Sequence, residues 1–214
     1  VTPSASSTLP VESVVMGLTA SPFVNKYDFS SGTWAADGNA VPGESSTQFE
    51  GIAALSKTRI VYGNTLGTTI QAYDFNGTDW VAVGTPIVKT TGQEVTMTAL
   101  SATTVAIILS DSSPSNLLQT YSFDGSNWTT VGSSFELNGG GGAISDLTLT
   151  TLSSSEILLG SQAIGLSTFD WNGSIWSWDG NNTNLATTGG FTALTPTKIA
   201  MKNGNSGLTI YTGS

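Results

Sequence analysis

The feature that most constrains this chain is an aromatic hairpin pattern that returns four times at nearly constant spacing. In each copy, alternating aromatic and polar residues precede a Gly-containing turn, and the next strand opens on a tryptophan. These tryptophans are 46, 48 and 48 residues apart: Trp34, Trp80, Trp128 and Trp176. Alternation with a period of two predicts a strand, and Asn-Gly or Asp-Gly predicts a tight hairpin turn. The chain is therefore predicted to repeat one β-hairpin, as repeat architectures do.

A second motif lies between the hairpins and consists of a leucine, a short polar stretch and then Ile or Val. It occurs five times, beginning at Leu9, Leu55, Leu100, Leu152 and Leu194. We interpret it as a strand that ends at the leucine, a polar turn, and a second strand that begins at the Ile or Val. Together with the hairpin, this motif predicts four strands in each repeat.

Four strands in about 46 residues match one blade of a β-propeller, whose blades pack face to face. We predict an all-β fold with a single domain over residues 1–214, a five-bladed β-propeller of four-stranded antiparallel blades. The repeats are expected at approximately 1–46, 47–92, 93–143, 144–186 and 187–214. Ring closure would place the first blade against the fifth. A solenoid is the alternative, and small residues in the expected inner strands favour the propeller.

The inner strands, which would line the axis, are expected near residues 4–9, 49–55, 94–100, 146–152 and 188–194. The fifth repeat has no tryptophan strand. The last blade is therefore predicted to be incomplete, with three strands, or to borrow a strand from another chain or from sequence beyond these residues.

Charge and residue types narrow the functions that this chain can perform. Six Lys and Arg against fifteen Asp and Glu give a net charge of −9, so nucleic acid is not expected as a partner, because phosphate binding needs a clustered basic face. The chain has no His and no Cys, which excludes the Ser-His-Asp triad and thiolate metal sites. No cofactor and no metal are expected. No apolar run is long enough to span a bilayer.

The remaining catalytic chemistry would rest on carboxylates. Glu50, Glu94 and Asp146 each stand five or six residues before the recurring leucine, at the start of an expected inner strand. They could converge at one face of a propeller and act as paired acids in a glycoside hydrolase. The alternative is that they begin strands at a solvated rim. We predict these three acids as ligand-binding residues and predict no catalytic residue.

Trp178 is a further candidate for ligand binding. It stands two residues after Trp176, where the other repeats have Ala36, Ala82 and Thr130. An extra tryptophan could stack on a sugar ring, since its indole has a large apolar face. The alternative interpretation is a packing plug against an incomplete fifth blade.

The string from Thr69 to Gly84, with its Tyr-Asp-Phe-Asn-Gly-Thr-Asp-Trp core, resembles the FG-GAP-like repeats of bacterial or phage surface and secreted proteins. The spacing from Tyr-Asp to Trp also resembles kelch repeats. Both resemblances imply a propeller and imply no activity. The alternating Asp residues of the FG-GAP calcium loop are missing here, so calcium binding is not carried over.

We therefore expect a non-enzymatic recognition module, located outside the cell, on the cell surface or on a virion surface. Its expected partner is a cell-surface glycan or protein, and neighbouring subunits could complete the last blade. Two alternatives stay open: a carboxylate-based glycoside hydrolase, and an architectural decoration domain of a larger assembly.

Overall fold

A computed structural model describes residues 12–17, 24–30, 32–42, 49–64, 66–110, 116–137, 147–161, 165–179, 191–195, 197–202 and 208–212. These residues form eighteen β-strands and no helix. In this part of the chain, no helix is long and apolar enough to cross a membrane.

The described strands form five antiparallel sheets, which we number in chain order. Sheet 1 contains β1 (Glu12–Gly17), β2 (Val24–Ser30) and β3 (Thr33–Asp37). Sheet 2 contains β4 (Phe49–Ser56), β5 (Arg59–Asn64), β6 (Thr69–Phe75) and β7 (Trp80–Val88). Sheet 3 contains β8 (Glu94–Ala99), β9 (Thr104–Ser110), β10 (Asn116–Phe123) and β11 (Trp128–Leu137). Sheet 4 contains β12 (Thr148–Ser153), β13 (Glu156–Ser161), β14 (Gly165–Trp171) and β15 (Trp176–Trp178). Sheet 5 contains β16 (Phe191–Thr195), β17 (Lys198–Lys202) and β18 (Leu208–Thr212).

Within each sheet, consecutive strands pair as neighbours, so that the chain runs from an inner strand to an outer strand. The aromatic hairpins lie where the sequence predicts them. Their turns are closed by a side chain that precedes a glycine: Asn76 Oδ1 accepts hydrogen bonds from the N–H groups of Thr78 and Asp79, at 2.9 and 2.8 Å. Asp124 and Asn172 make the same pair of bonds in the next two hairpins. An Asx side chain that satisfies the turn amides favours this local structure before any tertiary packing.

The sheets contact one another in chain order through their inner strands, from sheet 1 to sheet 5. Each interface buries apolar side chains from the facing sides of two sheets. The interface of sheets 3 and 4 includes Ile108, Leu118, Ile157, Leu159 and Phe169. The equivalent clusters of the other interfaces contain the matching positions. The fold is therefore a series of sheets packed face to face.

The predicted four-stranded antiparallel unit is confirmed by sheets 2, 3 and 4. Of the expected inner strands, residues 49–55 and 94–100 correspond to β4 and β8, while residues 4–9 lie outside the described residues. Five closed blades stay a prediction. Among the described residues, sheet 1 and sheet 5 share no extensive strand contact.

A glycine lies at the contact between each of the first three sheets and the sheet that follows it. Gly38, Gly84 and Gly132 each stand four residues after a hairpin tryptophan and have positive φ angles of 76°, 70° and 66°. The next residue reaches the hairpin turn of the following sheet, where the N–H of Thr85 donates to Ser126 O at 2.8 Å. The equivalent bonds are Asn39 to Thr78 and Ser133 to Ser174. A Cβ on Gly84 would lie 2.6 Å from that same oxygen, so the contact requires glycine.

The outer tryptophans also bridge adjacent sheets. Trp176 Nε1 of sheet 4 donates to Thr120 Oγ1 of sheet 3 at 2.9 Å, and both residues are buried. Ala72 of sheet 2 and Lys26 of sheet 1 are the equivalents of Thr120, since each precedes the hairpin tyrosine. Neither side chain has an oxygen that could accept a hydrogen bond.

This difference explains which buried polar atoms lack hydrogen bonds. The indole nitrogens of Trp80 and Trp128 have no hydrogen-bond partner within the described part of the chain, because the preceding sheet presents lysine or alanine at the acceptor position. Thr168 of sheet 4 is the fourth equivalent of Thr120, and its Oγ1 is also buried without a partner. Sheet 5 has three described strands and therefore presents no outer tryptophan to this hydroxyl.

Candidate functional site

The structure describes the predicted ligand-binding residues to different extents. Glu50 lies in β4, beside a register irregularity between Phe49 and Gly51, and its backbone alone is described. Glu94 begins β8 and is exposed. Asp146 lies outside the described residues. Convergence of the three carboxylates therefore stays a prediction, as does the glycoside hydrolase, which needs two acids on either side of one bond.

Glu94 stands at the end of a polar row that crosses sheet 3. Strand pairing aligns Glu94 with Ser110. The last pair of β9 with β10 is Leu109 with Leu117, and Ser110 and Asn116 are the next residues on these two strands. Ser110 and Asn116 are buried, and Asn116 Oδ1 has no hydrogen-bond partner among the residues that the structure describes. An unpaired buried oxygen costs about 1–3 kcal/mol. The row therefore contains a buried amide oxygen that strand pairing leaves without a hydrogen bond.

This row faces sheet 4. Alternation places Ser110 on the same face as Ile108, which packs against sheet 4, and Thr96 Oγ1 on that face donates to Leu147 O at 3.4 Å. Sheet 4 presents two further buried serines, Ser161 and Ser167, on the side of Leu159 that faces sheet 3. Polar side chains thus collect from both sheets toward the end of the interface where β8 begins.

Trp178 belongs to the same interface but lies at its opposite edge. β15 is the outermost strand of sheet 4, whereas β8 is the innermost strand of sheet 3. Trp178 pairs with the buried Phe169, whose ring meets Phe135 of sheet 3 edge-on at a centroid distance of 5.5 Å. The indole of Trp178 is 52% exposed. The structure therefore separates Trp178 from Glu94.

The register also shows which neighbouring sheet the side chain of Trp178 faces. Its side chain shares a face with Trp176, which contacts Thr120 of sheet 3. This face is turned away from the described strands of sheet 5, and the interpretation as a packing plug stays a prediction. Ala36, Ala82 and Thr130, at the matching positions, are exposed as well. A large aromatic side chain at a position that stays open to solvent is not explained by core packing.

Charged side chains cover the sheet interfaces near the hairpins. Arg59 binds Asp74 through two hydrogen bonds of 2.6 Å, and its guanidinium lies 5.2 Å from the centre of the Phe123 ring on sheet 3. Lys26 pairs with Asp28 and Asp37, and its ammonium lies 5.1 Å from the Phe75 ring on sheet 2. Burial lowers the pKa of Lys26, but the hydrogen bonds that its ammonium donates to both carboxylates, together with their charges, outweigh burial and raise that pKa overall.

Sheet 4 differs because a carboxylate replaces the arginine. Glu156 pairs directly with Asp170, as Arg59 pairs with Asp74. Burial raises the pKa of Glu156, and the charges of Asp170 and Asp179 raise it further. Among the described residues, no group of three acids has a geometry that could hold a metal ion. Beyond burial, the charge of Asp170 raises the pKa of Glu156, so the ionised pair is an electrostatic cost to the fold.

Two features of the interfaces were missed by sequence reasoning. The glycine four residues after each tryptophan has a signal in the sequence, since the spacing recurs at Gly38, Gly84 and Gly132. The row of Ser110 and Asn116 has no comparable signal, because polar residues at strand ends are common and their burial depends on the neighbouring sheet.

Comparison with known proteins extends these observations to the whole fold. No protein-family model matches the chain, and no curated protein matches it, so the resemblance to FG-GAP and kelch repeats is not shown. Solved structures do match. A mutant Aleuria aurantia lectin in complex with Fucalpha1-6GlcNAc has a TM-score of 0.59 at 12% identity, over 87% of this chain and 66% of that chain.

Two further solved structures show the same likeness. SapL1 lectin in complex with alpha methyl fucoside has a TM-score of 0.56 at 20% identity, covering 89% of this chain and 69% of that chain. YCF48 bound to D1 peptide has a TM-score of 0.57 at 14% identity, covering 94% and 61%. This chain thus spans about two thirds of the length of these proteins.

Another structure of the Aleuria aurantia lectin, with a TM-score of 0.57 at 12% identity over 89% of this chain and 68% of that chain, is described as a six-bladed β-propeller. At these identities the likeness concerns the fold. It agrees with the serial packing of four-stranded antiparallel sheets found here. This chain has the β-propeller fold.

Proposed function

We propose that this chain is a non-enzymatic, carbohydrate-binding β-propeller. The half-exposed indole of Trp178 carries the proposal, because it occupies an open position where the other repeats have small residues. A flat indole stacks well on the apolar face of a sugar ring. The likeness to two lectins in complex with fucose-containing ligands supports the same ligand class.

The polar row at the other edge of the interface offers a second contact surface. Glu94 is exposed and anionic, and carboxylates accept the hydrogen bonds that sugar hydroxyls donate. Beneath it, Ser110 and Asn116 supply a hydroxyl and an amide. The location outside the cell or on a virion surface stays a prediction.

A glycan array followed by calorimetric titration tests the proposal. We expect binding to at least one class of glycan, with fucosylated ligands as the first to examine. Trp178→Ala should weaken that binding about tenfold or more, as truncation of an aromatic anchor does. Val81→Ala is the control, because Val81 is 48% exposed on sheet 2, away from Trp178 and from both ends of the series.

Glu94→Gln tests the second surface. Loss of a hydrogen bond to a charged group costs about 1.5–3 kcal/mol, which corresponds to about a ten- to hundredfold rise in Kd. A change of that size would show that the ligand contacts the polar row at Glu94. An unchanged Kd together with a defect in Trp178→Ala would place it at the outer edge. No binding to any glycan would refute the proposed function.

A further inference from the structure

The two ends of the series of sheets expose the faces that all internal sheets cover. Within the series, the outer tryptophan of one sheet packs on the preceding sheet: Trp80 and Trp176 are 2% and 3% exposed. Trp34 is the same residue of sheet 1. Among the described residues no other sheet packs against this tryptophan, and it is 51% exposed. Its ring contacts Phe29 at a centroid distance of 5.1 Å, as in the other hairpins. Sheet 1 therefore presents a formed aromatic unit without its usual receiving surface.

The matching receiving surface is exposed on sheet 5. In sheets 2 and 3, Ala72 and Thr120 stand at the position that receives the tryptophan of the next sheet, and both are fully buried. Register with β17 places Ile210 at this position of sheet 5, since it precedes Tyr211 as Ala72 precedes Tyr73. Ile210 is 58% exposed.

Sheet 5 also carries a cation at the position that corresponds to Arg59. Lys198 opens β17 at the position where Arg59 opens β5, and it is exposed. Arg59 lies over the hairpin phenylalanine of the next sheet, Phe123. Phe29 is the equivalent phenylalanine of sheet 1. A cation on one end thus matches an aromatic ring on the other.

We propose that sheet 1 of one copy of this chain docks on sheet 5 of a second copy. Trp34 then packs on Ile210, and Lys198 of the second copy lies over Phe29. The contact repeats the packing of adjacent sheets within the chain, with an apolar centre and a cation at its side. It is head-to-tail, because the two surfaces differ, so each copy keeps one free end after a single contact.

Sedimentation velocity of the 214-residue chain over a range of concentrations tests this proposal. The wild-type chain is expected to form species larger than a monomer that grow with concentration. Trp34→Glu removes the docking face, and Ile210→Glu removes the receiving face. Each variant alone should require at least about tenfold higher concentration to associate, as expected when a central anchor is lost.

The mixture of the two variants gives the decisive measurement. Trp34→Glu retains an intact sheet 5 and Ile210→Glu retains an intact sheet 1, so together they should form a 1:1 heterodimer that grows no further. Val88→Glu is the matched control, because Val88 is 79% exposed on sheet 2, away from both ends. It should associate as the wild type does.

Three results would overturn the proposal. A wild-type chain that stays monomeric at all concentrations would exclude docking between copies. Packing of sheet 1 on sheet 5 within one chain would give this result and would also refute the proposal. Association that Trp34→Glu and Ile210→Glu leave unchanged would place the contact elsewhere. Failure of the two folded variants to pair, with circular dichroism spectra like that of the wild type, would exclude a head-to-tail contact.

Discussion

Replacement of Thr120 by valine tests how the outer tryptophan joins two sheets. Thr120 Oγ1 accepts the hydrogen bond of the buried Trp176 indole at 2.9 Å. Valine has nearly the shape of threonine, so packing against Leu118 and its neighbours is retained. A buried donor without a partner costs about 1–3 kcal/mol, and Thr120→Val should lower the free energy of unfolding by that amount. For a chain of this size, the melting temperature should fall by about 2–4 °C per kcal/mol.

Thr168→Val supplies the matched control on the next sheet. Its hydroxyl occupies the equivalent position and has no partner, so the same substitution should change the stability by less than about 0.5 kcal/mol or increase it. Urea unfolding followed by far-ultraviolet circular dichroism measures both values. A double-mutant cycle that adds Trp176→Phe isolates the hydrogen bond, with an expected coupling of about 0.5–1.5 kcal/mol. Equal effects of the two valine substitutions, or zero coupling, would refute the reasoning.

Further substitutions test the glycine contact and the acidic pair. In urea unfolding, Gly84→Ala should lower the free energy of unfolding more than Gly125→Ala does. Both glycines have positive φ and share a backbone cost of about 1 kcal/mol, but of the two only Gly84 would bring an added Cβ against the next sheet. Equal losses of stability would contradict a close contact at Gly84. Burial and the charge of Asp170 raise the pKa of Glu156, so its protonated form stabilises the fold, and that contribution is lost as the pH rises through the folded-state pKa. Glu156→Gln should therefore be more stable than the wild type at pH 7 and equally stable below about pH 4; a difference that persists in acid would contradict this assignment.

The repeat and its local hairpins were predictable because their causes are local. Alternation of aromatic and polar residues sets the strand period, and the Asx-Gly turns satisfy their own amides. Trp34, Trp80, Trp128 and Trp176 therefore mark one structural position in four sheets. The polar row was only partly predictable. Glu94 could be placed at a strand start, but the burial of Asn116 depends on sheet 4, which lies more than 30 residues away in sequence.

The same limit applies to Trp178. Its spacing from Trp176 predicts a shared face, and the structure agrees. The sequence does not say which neighbouring sheet that face meets, since sheet 4 buries apolar side chains on both of its faces. Contact of Trp176 with Thr120 of sheet 3 decides it and leaves Trp178 open to solvent.

By itself, the sequence determined that this chain is a series of similar four-stranded antiparallel units without histidine or cysteine chemistry. These properties follow from residue type and short-range periodicity. Tertiary structure alone decided which polar atoms are satisfied and which faces stay uncovered. Identical positions in successive repeats differ in exposure, as Trp34 and Trp176 do, because burial depends on whether another sheet packs beside them. That dependence is why the ends of the series and the outer edge of sheet 4 carry the proposals for partner and ligand.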